Sequence, residues 1–167
     1  MEHVFHEIPP VWDNASRILI LGSFPSVKSR EENFFYGHPQ NRFWKTLSAV
    51  LGEALPSTVS DKKELLLRRH IALWDVIASC RIEGSSDNSI RDVAPNDLNR
   101  ILKAAPIRQI FTNGSTASRL YNRYCSPVTG REALRLPSTS PANAGWSAER
   151  LAWAWRAILD PLGNSFP

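Results

Sequence analysis

The sequence RILILG at residues 17–22 decides the fold of this chain. Four consecutive apolar residues, Ile18 to Leu21, are followed at once by Gly22-Ser-Phe-Pro-Ser. A short run of this kind without alternation is typical of a strand that is buried on both faces and leaves its sheet into a tight loop. We therefore predict the first strand of a parallel sheet here.

Outward from this strand, predicted strands alternate with predicted helices. Further apolar runs predict strands at 70–80, 107–112 and 133–136. Helical periodicity and capping residues predict helices after Asn41 and over 61–69, 96–105, 115–124 and 147–159. Ser115 is the expected cap of the fourth helix, and the last helix is amphipathic. This order predicts an α/β fold, a three-layer α/β/α structure with a central, mostly parallel four-stranded sheet.

The segments between these elements have unusual compositions. Residues 23–40 are rich in Ser, Pro, Asn and aromatic residues without a helical period, and we predict a long functional loop there. Residues 81–95 are predicted to form a polar loop. Because ligands of parallel sheets bind outside the carboxyl ends of the strands, the loops after the four strands should converge at one site.

The length and composition are those of one globular domain. The 167 residues, 43% hydrophobic and 22% charged, predict a single domain over residues 1–167. No apolar run approaches the roughly 20 residues that span a bilayer, and the first residues do not resemble a signal peptide. We expect no membrane partner and a location in the cytoplasm, at the nucleoid of a prokaryotic cell.

The sequence lacks the patterns of several common metal, cofactor and catalytic sites. Cys80 and Cys125 are the only cysteines, and the four histidines lack metal-ligand spacing, so we expect no metal and no cofactor. The phosphate-binding, dinucleotide-binding, HExxH and GxSxG motifs are all missing from the sequence. A net charge of +4 and a pI near 9.4 modestly favour a polyanionic partner.

Three sequence blocks carry a resemblance. Between Ile18 and Trp44 lie LILGSFPS and FFYGHPQNRFW, and LPSTSPANA occupies 136–144. These blocks resemble the first active-site region and the DNA-gripping loop of the uracil-DNA glycosylase superfamily, with the closest match to its hypoxanthine-DNA glycosylase (DNA-deoxyinosine glycosylase) group. The resemblance implies a uracil-DNA glycosylase-like fold and hydrolysis of the bond between a damaged base and deoxyribose.

One departure from the family pattern points to Asn41 as the catalytic residue. Many superfamily members place a water-positioning Asp or Asn where this sequence has Phe24. Members of the hypoxanthine group are similar to this chain in that respect, and the resemblance assigns the role to Asn41. An amide only orients water, which suffices if the sugar is already oxocarbenium-like. The alternative is that Asn41 is a plain helix N-cap.

The resemblance also implies a base-binding set. Tyr36 resembles the aromatic residue that stacks on a flipped base, although core packing with Phe34 and Phe35 is the alternative. Asp75 occupies the base-reading position, where its carboxylate would accept N1–H of hypoxanthine; a purely structural carboxylate remains equally open. Phe24 and Asn113 complete the predicted base pocket.

The DNA contacts are predicted in the loops. Small hydroxyl groups and backbone N–H groups suit phosphate oxygens, which selects Ser23, Ser26, Ser138, Thr139 and Ser140. The basic residues in or beside these loops are Lys28, Arg30, Arg42, Arg131 and Arg150.

The resulting prediction is a monofunctional glycosylase that releases a deaminated base, hypoxanthine first, from DNA. Lys28 and Lys45 show no sign of the desolvated nucleophile that a lyase needs. We expect the protein to act as a monomer on DNA that contains a deaminated base. A mismatch-specific uracil or thymine glycosylase stays open, because HPxNRFW resembles that group too. A non-catalytic DNA-binding domain of the same fold is the third possibility, and Phe24 favours it.

Overall fold

The computed structural model describes residues 2–163, which form two β-sheets and a set of helices. The strands are β1 (Glu2–Phe5), β2 (Ile18–Gly22), β3 (Ile71–Asp75), β4 (Ile77–Ile82), β5 (Arg91–Pro95), β6 (Gln109–Asn113) and β7 (Ala133–Leu136). The α-helices are α1 (Val27–Glu32), α2 (Phe43–Leu51), α3 (Val59–Arg68), α4 (Asn99–Leu102), α5 (Ser115–Leu120), α6 (Ser126–Thr129), α7 (Ala148–Trp155) and α8 (Leu159–Leu162).

The main sheet has four strands in the order β3-β2-β6-β7, and every neighbouring pair is parallel. All five residues of β2 are buried. Because successive side chains of a strand point to opposite faces, this burial means that both faces of the sheet are covered. The prediction of an α/β fold built on a four-stranded parallel sheet is confirmed, with RILILG as one of its two central strands.

The predicted strand over 70–80 is wrong in one respect, because it is two strands. β3 ends at Asp75 in the main sheet, and β4 then pairs antiparallel with β1 and β5 in a second, three-stranded sheet. The Val76 N–H donates to the Gly22 carbonyl at 2.8 Å where the chain changes sheet. The apolar run continues through this junction, so periodicity could not mark it. The exposed, mixed sequence of β1 gave no strand signal.

Two predicted loops contain short regular elements. Residues 23–40 include α1, whose N-cap Ser26 accepts a hydrogen bond from the Ser29 N–H at 3.1 Å. Its six residues are too few to establish a helical period. Residues 81–95 include a 3₁₀ turn at Asp87–Ser89 and the strand β5.

Three helix beginnings differ from the predictions. α3 begins at Val59 rather than at Asp61, because Thr58 is its N-cap. α4 begins at Asn99 rather than at Asn96, because the Asn96 amide donates to the carbonyls of Asp75 and Ile77 and belongs to the strand junction. Gly114, at φ 95°, holds the position before α5, so Ser115 is the first helical residue and not the cap. Residues 121–125 continue this helix as a π-helical turn.

The last helix follows the prediction at its start. Ser147 caps α7 by accepting from the Arg150 N–H at 3.1 Å. Trp155 is fully buried, whereas Trp153 is 73% exposed. Within residues 2–163, no helix combines the length and the apolar character required to cross a membrane.

Register brings the carboxyl ends of the parallel strands to one edge. Gly22 pairs with Asp75 across β2 and β3, and Asn113 pairs with Leu136 across β6 and β7. The loops that follow these residues therefore begin side by side, which positions the site described next.

Candidate active site

A cavity of about 280 Å³ opens at the carboxyl edge of the main sheet. Its size is near the lower end of small-molecule sites, roughly 300 Å³. It is lined by Gly22, Ser23, Phe24, Pro25, Ser26, Ser29, Phe35, Tyr36, His38, Asn41, Asp75, Ser85, Asp87, Asn113, Ser138, Thr139, Ser140, Pro141 and Ala142. Each of the ten site residues selected from the sequence is among them, so the loops converge as their positions after the strands predict.

Asn41 lies in the turn before α2. Its Oδ1 accepts from the Phe43 N–H at 2.9 Å, and its own N–H donates to the His38 carbonyl at 3.0 Å. The amide therefore does satisfy a backbone donor at the start of α2, although the N-cap position is Arg42. An amide oxygen has a second lone pair, so this bond orients the Asn41 side chain without exhausting it.

Tyr36 presents a fixed aromatic surface. Its φ of 54° lies in the left-handed region, and its ring stacks on Phe43 with centroids 4.1 Å apart and planes 12° apart. The Tyr36 ring therefore packs on Phe43 and at the same time lines the cavity. Because one face of the ring is covered by Phe43, a ligand would meet only the other face or the edge.

The Tyr36 hydroxyl is buried and has no hydrogen-bond partner among the described residues. A Cβ built on Gly22 would lie 2.8 Å from this oxygen, so the hydroxyl sits directly over the end of β2. Burial raises the pKa of Tyr36, and the charge of Asp75 raises it further. The Asn113 amide, which is near the hydroxyl but outside hydrogen-bond geometry, opposes the shift. The hydroxyl therefore stays protonated and can donate a hydrogen bond.

Asp75 ends β3 with a side chain that is 5% exposed. Its Oδ2 lies 2.8 Å from Nε2 of His6, whose side chain is 1% exposed. Its Oδ1 lies on the side of Gly22 and the Tyr36 hydroxyl. Sequence reasoning missed His6, because nothing local predicts a contact between residues 69 positions apart.

Asn113 and Thr139 bind each other. The Asn113 Nδ2 donates to the Thr139 Oγ1 at 2.9 Å, and the Thr139 N–H donates to the Asn113 Oδ1 at 3.0 Å. Thr139 is 0% exposed. Its N–H and its hydroxyl oxygen join the loop after β7 to β6, and a contact between Thr139 and DNA stays a prediction. Asn113 lines the cavity, but its amide is committed mainly to this link.

Arg42 holds the loop after β7, over residues 137–146. Its guanidinium group donates to the carbonyls of Asn143 and Trp146 at 3.0 and 2.5 Å. Ser138 and Ser140 are half-buried at the rim, and their hydroxyls accept from the N–H groups of Ser140 and Ala142. Each hydroxyl only accepts in these two bonds, so its own proton can be donated to an acceptor such as a phosphate oxygen.

The tip of the β4–β5 hairpin packs against the segment over residues 23–40. The Arg30 guanidinium donates to the Gly84 carbonyl at 2.8 Å, and the Ser23 hydroxyl donates to Asp87 Oδ1 at 3.3 Å. Asp87 thereby reaches the cavity, where partial burial raises the pKa of its carboxyl and the hydrogen bonds from Ser23 and Thr116 counteract that rise. Sequence reasoning missed Asp87 because its segment looked like an ordinary polar loop.

The basic residues near the loops have different partners and do not share one surface. Arg42 is used inside the last loop, and Arg131 donates to the Ile107 carbonyl at the opposite, amino edge of the sheet. Arg131 is therefore removed from the expected DNA face. Lys28 lies 3.6 Å from Glu32, and the Arg150 guanidinium lies 4.3 Å from the centre of the Trp146 ring.

The arrangement suits hydrolysis around a flat, neutral, polar ligand. It offers a planar ring at Tyr36, a protonated donor beside it, an acceptor at Asp75 and an amide at Asn41 that can hold water. No lysine lines the cavity in the described part of the chain. Residues 2–163 also hold no cluster of three or more His, Cys, Asp or Glu side chains suited to a metal ion.

Comparison with known proteins gives consistent matches. Residues 9–161 match the family model described as the Uracil DNA glycosylase superfamily. A protein named Hypoxanthine DNA glycosylase from Methanosarcina acetivorans is 37% identical over 153 residues, covering 90% of this chain and 95% of the relative. One of the same name from Methanosarcina barkeri is 35% identical over 149 residues, covering 87% and 93%.

A solved structure has the same fold. The solution NMR structure of a protein from Methanosarcina acetivorans, provisionally described as a uracil DNA glycosylase, superposes with a TM-score of 0.80 at 34% identity. The superposition covers 94% of this chain and 97% of the other. With a family match over most of its length, relatives above 30% identity and this shared fold, the chain belongs to the uracil DNA glycosylase superfamily.

Proposed function

We propose that this protein is a monofunctional DNA glycosylase that releases hypoxanthine from deoxyinosine in base-excision repair. The observation that carries the proposal is the meeting of Asn41, Tyr36 and Asp75 in one cavity of a superfamily member. Two relatives that align over most of the chain carry the name Hypoxanthine DNA glycosylase, which supports the choice of base.

Base recognition follows from donors and acceptors. A nucleotide rotated out of the duplex would place its base against Tyr36, at an unstacking cost of a few kcal/mol. The Tyr36 hydroxyl donates to O6 of hypoxanthine, and Asp75 Oδ1 accepts its N1–H. Adenine carries an acceptor at N1 and an amino group at C6, so both interactions would be reversed and lost.

Hydrolysis follows from the weak basicity of an amide. Asn41 does not remove a proton from water, so its second lone pair only orients the water oxygen toward C1′ of the sugar. The C1′–N9 bond breaks first, its electron pair leaves with the base, and water then attacks the oxocarbenium-like sugar and loses its proton to the departed base or solvent. The donor at Tyr36 stabilises the negative charge that develops on the base.

The strand itself would be held at the rim. Ser138 and Ser140 place small hydroxyls at the cavity mouth, where phosphate oxygens can approach closely. Ser23 and Ser26 line the same cavity, and to bind phosphate their hydroxyls would have to exchange the bonds that they donate to Asp87 and Ser29. The proposal includes action as a monomer. It also excludes lyase activity, because no lysine among residues 2–163 lines the cavity. A cytoplasmic location remains part of the prediction.

The test is a labelled duplex that contains one deoxyinosine, one deoxyuridine or one G·T mismatch. The protein is incubated with each duplex, and alkali then cleaves any abasic site. Strand cleavage at deoxyinosine that requires alkali is expected. Cleavage at deoxyuridine or at the mismatched thymine alone would favour a uracil or thymine glycosylase, and retained binding without cleavage would favour a non-catalytic DNA-binding domain. Cleavage before alkali would contradict the monofunctional mechanism.

A further inference from the structure

The inference concerns His6, a buried histidine that no sequence motif includes. β1 pairs antiparallel with β4, and the His6 N–H extends this pairing by donating to the Ala78 carbonyl at 2.7 Å. The N-terminal strand therefore carries the imidazole to the carboxyl end of β3. The ring packs near Phe24 and Phe35, with centroids 6.0 Å away in each case.

The contact between His6 and Asp75 is short, and both side chains are buried. Nε2 lies 2.8 Å from Oδ2, and the two side chains are 1% and 5% exposed. An ionised carboxylate has no proton to give, so Nε2 is the donor in this pair. A buried hydrogen bond to a charged group is stronger than one in water, and a buried carboxylate without such a partner is costly.

This contact leaves one carboxylate oxygen for a ligand. Because Oδ2 is occupied by His6, the carboxyl group cannot rotate freely, and Oδ1 is held beside Gly22 and the Tyr36 hydroxyl. An ionised carboxylate is only an acceptor. A protonated carboxyl would offer a donor instead and would no longer select a base that carries N–H.

The geometry points to His6 as a positioning residue that orients Asp75, so that Oδ1 faces the N–H edge of the extruded base. This role rests on the proposed function, because Asp75 is the residue that meets the base. His6 itself touches neither the sugar nor the base in this arrangement. Its effect on catalysis should therefore pass entirely through Asp75.

The test compares single-turnover rates of base release from a deoxyinosine duplex. His6→Leu removes the donor and should slow release about ten- to a hundredfold, the loss expected for one charged hydrogen bond. His6→Gln keeps an N–H donor of similar reach and should restore most of the rate. His3→Leu is the matched control and should leave the rate unchanged, because His3 lies in β1, three residues before His6, and is exposed.

A double-mutant cycle separates positioning from general destabilisation. In an Asp75→Asn background, His6→Leu should cause no further loss, because the carboxylate through which His6 acts is gone. Thermal melting of every variant reports folding. If His6→Leu does not melt cooperatively, His6→Asn replaces it, since its shorter amide does not reach Oδ2.

The outcomes distinguish this inference from the proposed function. An active wild type whose His6→Leu variant is as fast as His3→Leu overturns only the inference. Independent, multiplying losses from His6→Leu and Asp75→Asn, or failure of His6→Gln to recover activity, also overturn it. A wild type that is inert toward both deoxyinosine and deoxyuridine overturns the proposed function, and the inference with it.

Discussion

The Tyr36 hydroxyl is buried without a hydrogen-bond partner among the described residues, which normally destabilises a folded protein by about 1–3 kcal/mol. We expect Tyr36→Phe to stabilise the free protein by about 1 kcal/mol, because the unpaired donor is removed. The same change should slow release of hypoxanthine about tenfold, because the donor to O6 is lost. Thermal melting and single-turnover assays measure the two effects.

Tyr121 offers a contrast for that prediction. Its hydroxyl lies 2.8 Å from the Thr129 hydroxyl and donates to the Arg131 carbonyl at 2.6 Å. Tyr121→Phe should therefore destabilise the protein by about 1 kcal/mol, since a buried carbonyl loses its donor. Equal melting shifts for the two tyrosines would refute the distinction.

Asn41 carries a structural and a proposed catalytic role, and substitutions can separate them. Asn41→Ala should lower kcat about a hundredfold and should also cost about 1 kcal/mol of stability, because the Phe43 N–H loses its acceptor. Asn41→Ser keeps a short acceptor for that N–H, so it should restore stability without restoring kcat. An unchanged kcat in Asn41→Ala would remove this residue from the mechanism.

Gly22 is required because two functional groups occupy the space above it. A Cβ at this position would lie 2.8 Å from the Tyr36 hydroxyl oxygen and still closer to Asp75 Oδ1. Gly22→Ala should destabilise the protein by about 1–3 kcal/mol through overpacking, and it should displace both base-binding groups. We expect activity to fall sharply, as measured on a deoxyinosine duplex. Gly145→Ala is the control, since its added Cβ meets nothing within 4 Å.

At the scale of elements, Glu53 links the end of α2 to the end of α3. Its carboxylate accepts from the Arg68 guanidinium at 2.8 and 3.0 Å and from that of Arg69 at 2.7 Å. These bonds, those of Arg68 first, lower the pKa of Glu53 to about 2. A lowered pKa in the folded state means that the stabilisation is complete above the unfolded pKa of about 4.3 and is lost as the pH falls through the folded value.

Glu53→Gln should therefore destabilise the protein at pH 7 by about 1 kcal/mol, because solvent screens this partly exposed network. That loss corresponds to a melting temperature lower by roughly 2–4 °C. The difference from wild type should shrink between about pH 4 and pH 2, as followed by circular dichroism melts. Glu64→Gln should have a smaller effect, because Glu64 accepts a hydrogen bond from Arg68 Nε while being largely exposed. A loss that does not change with pH would contradict the assignment to this carboxylate.

The elements also show where sequence reasoning stops. β2 was predictable because it is an apolar run bounded by glycine, and α7 because its sequence is amphipathic. The change of sheet at Val76 was not, because an apolar run looks the same when it crosses from one sheet to another. α1 and β1 have only six and four residues, too few for a period to appear.

At the scale of the whole molecule, the two cysteines report on the integrity of the core. Cys80 and Cys125 are 0% and 3% exposed, and burial raises the pKa of each thiol to about 11. At pH 8 only about one thiol in a thousand is then ionised, and thiolate is the reactive form. We expect both to resist an aromatic disulfide reagent in the native state and to react fully in guanidinium chloride. Rapid labelling of one thiol in the folded protein would contradict this packing.

As with the fold, part of the candidate site could be predicted from the sequence and part could not. The sequence by itself determined the parallel sheet and the loops at its carboxyl edge, because these depend on local periodicity and on which edge a strand leaves. The resemblance to the family selected Asn41, Tyr36 and Asp75, and all three line the cavity at that edge.

Only the tertiary structure decided which groups bind one another across the site. The pairs His6–Asp75, Ser23–Asp87 and Asn113–Thr139 span 69, 64 and 26 residues of chain. Each contact depends on how separate elements pack and register, and a polar side chain has no local signature for the partner it will meet. Side-chain roles at the site therefore followed from packing, whereas its location followed from the order of strands and helices.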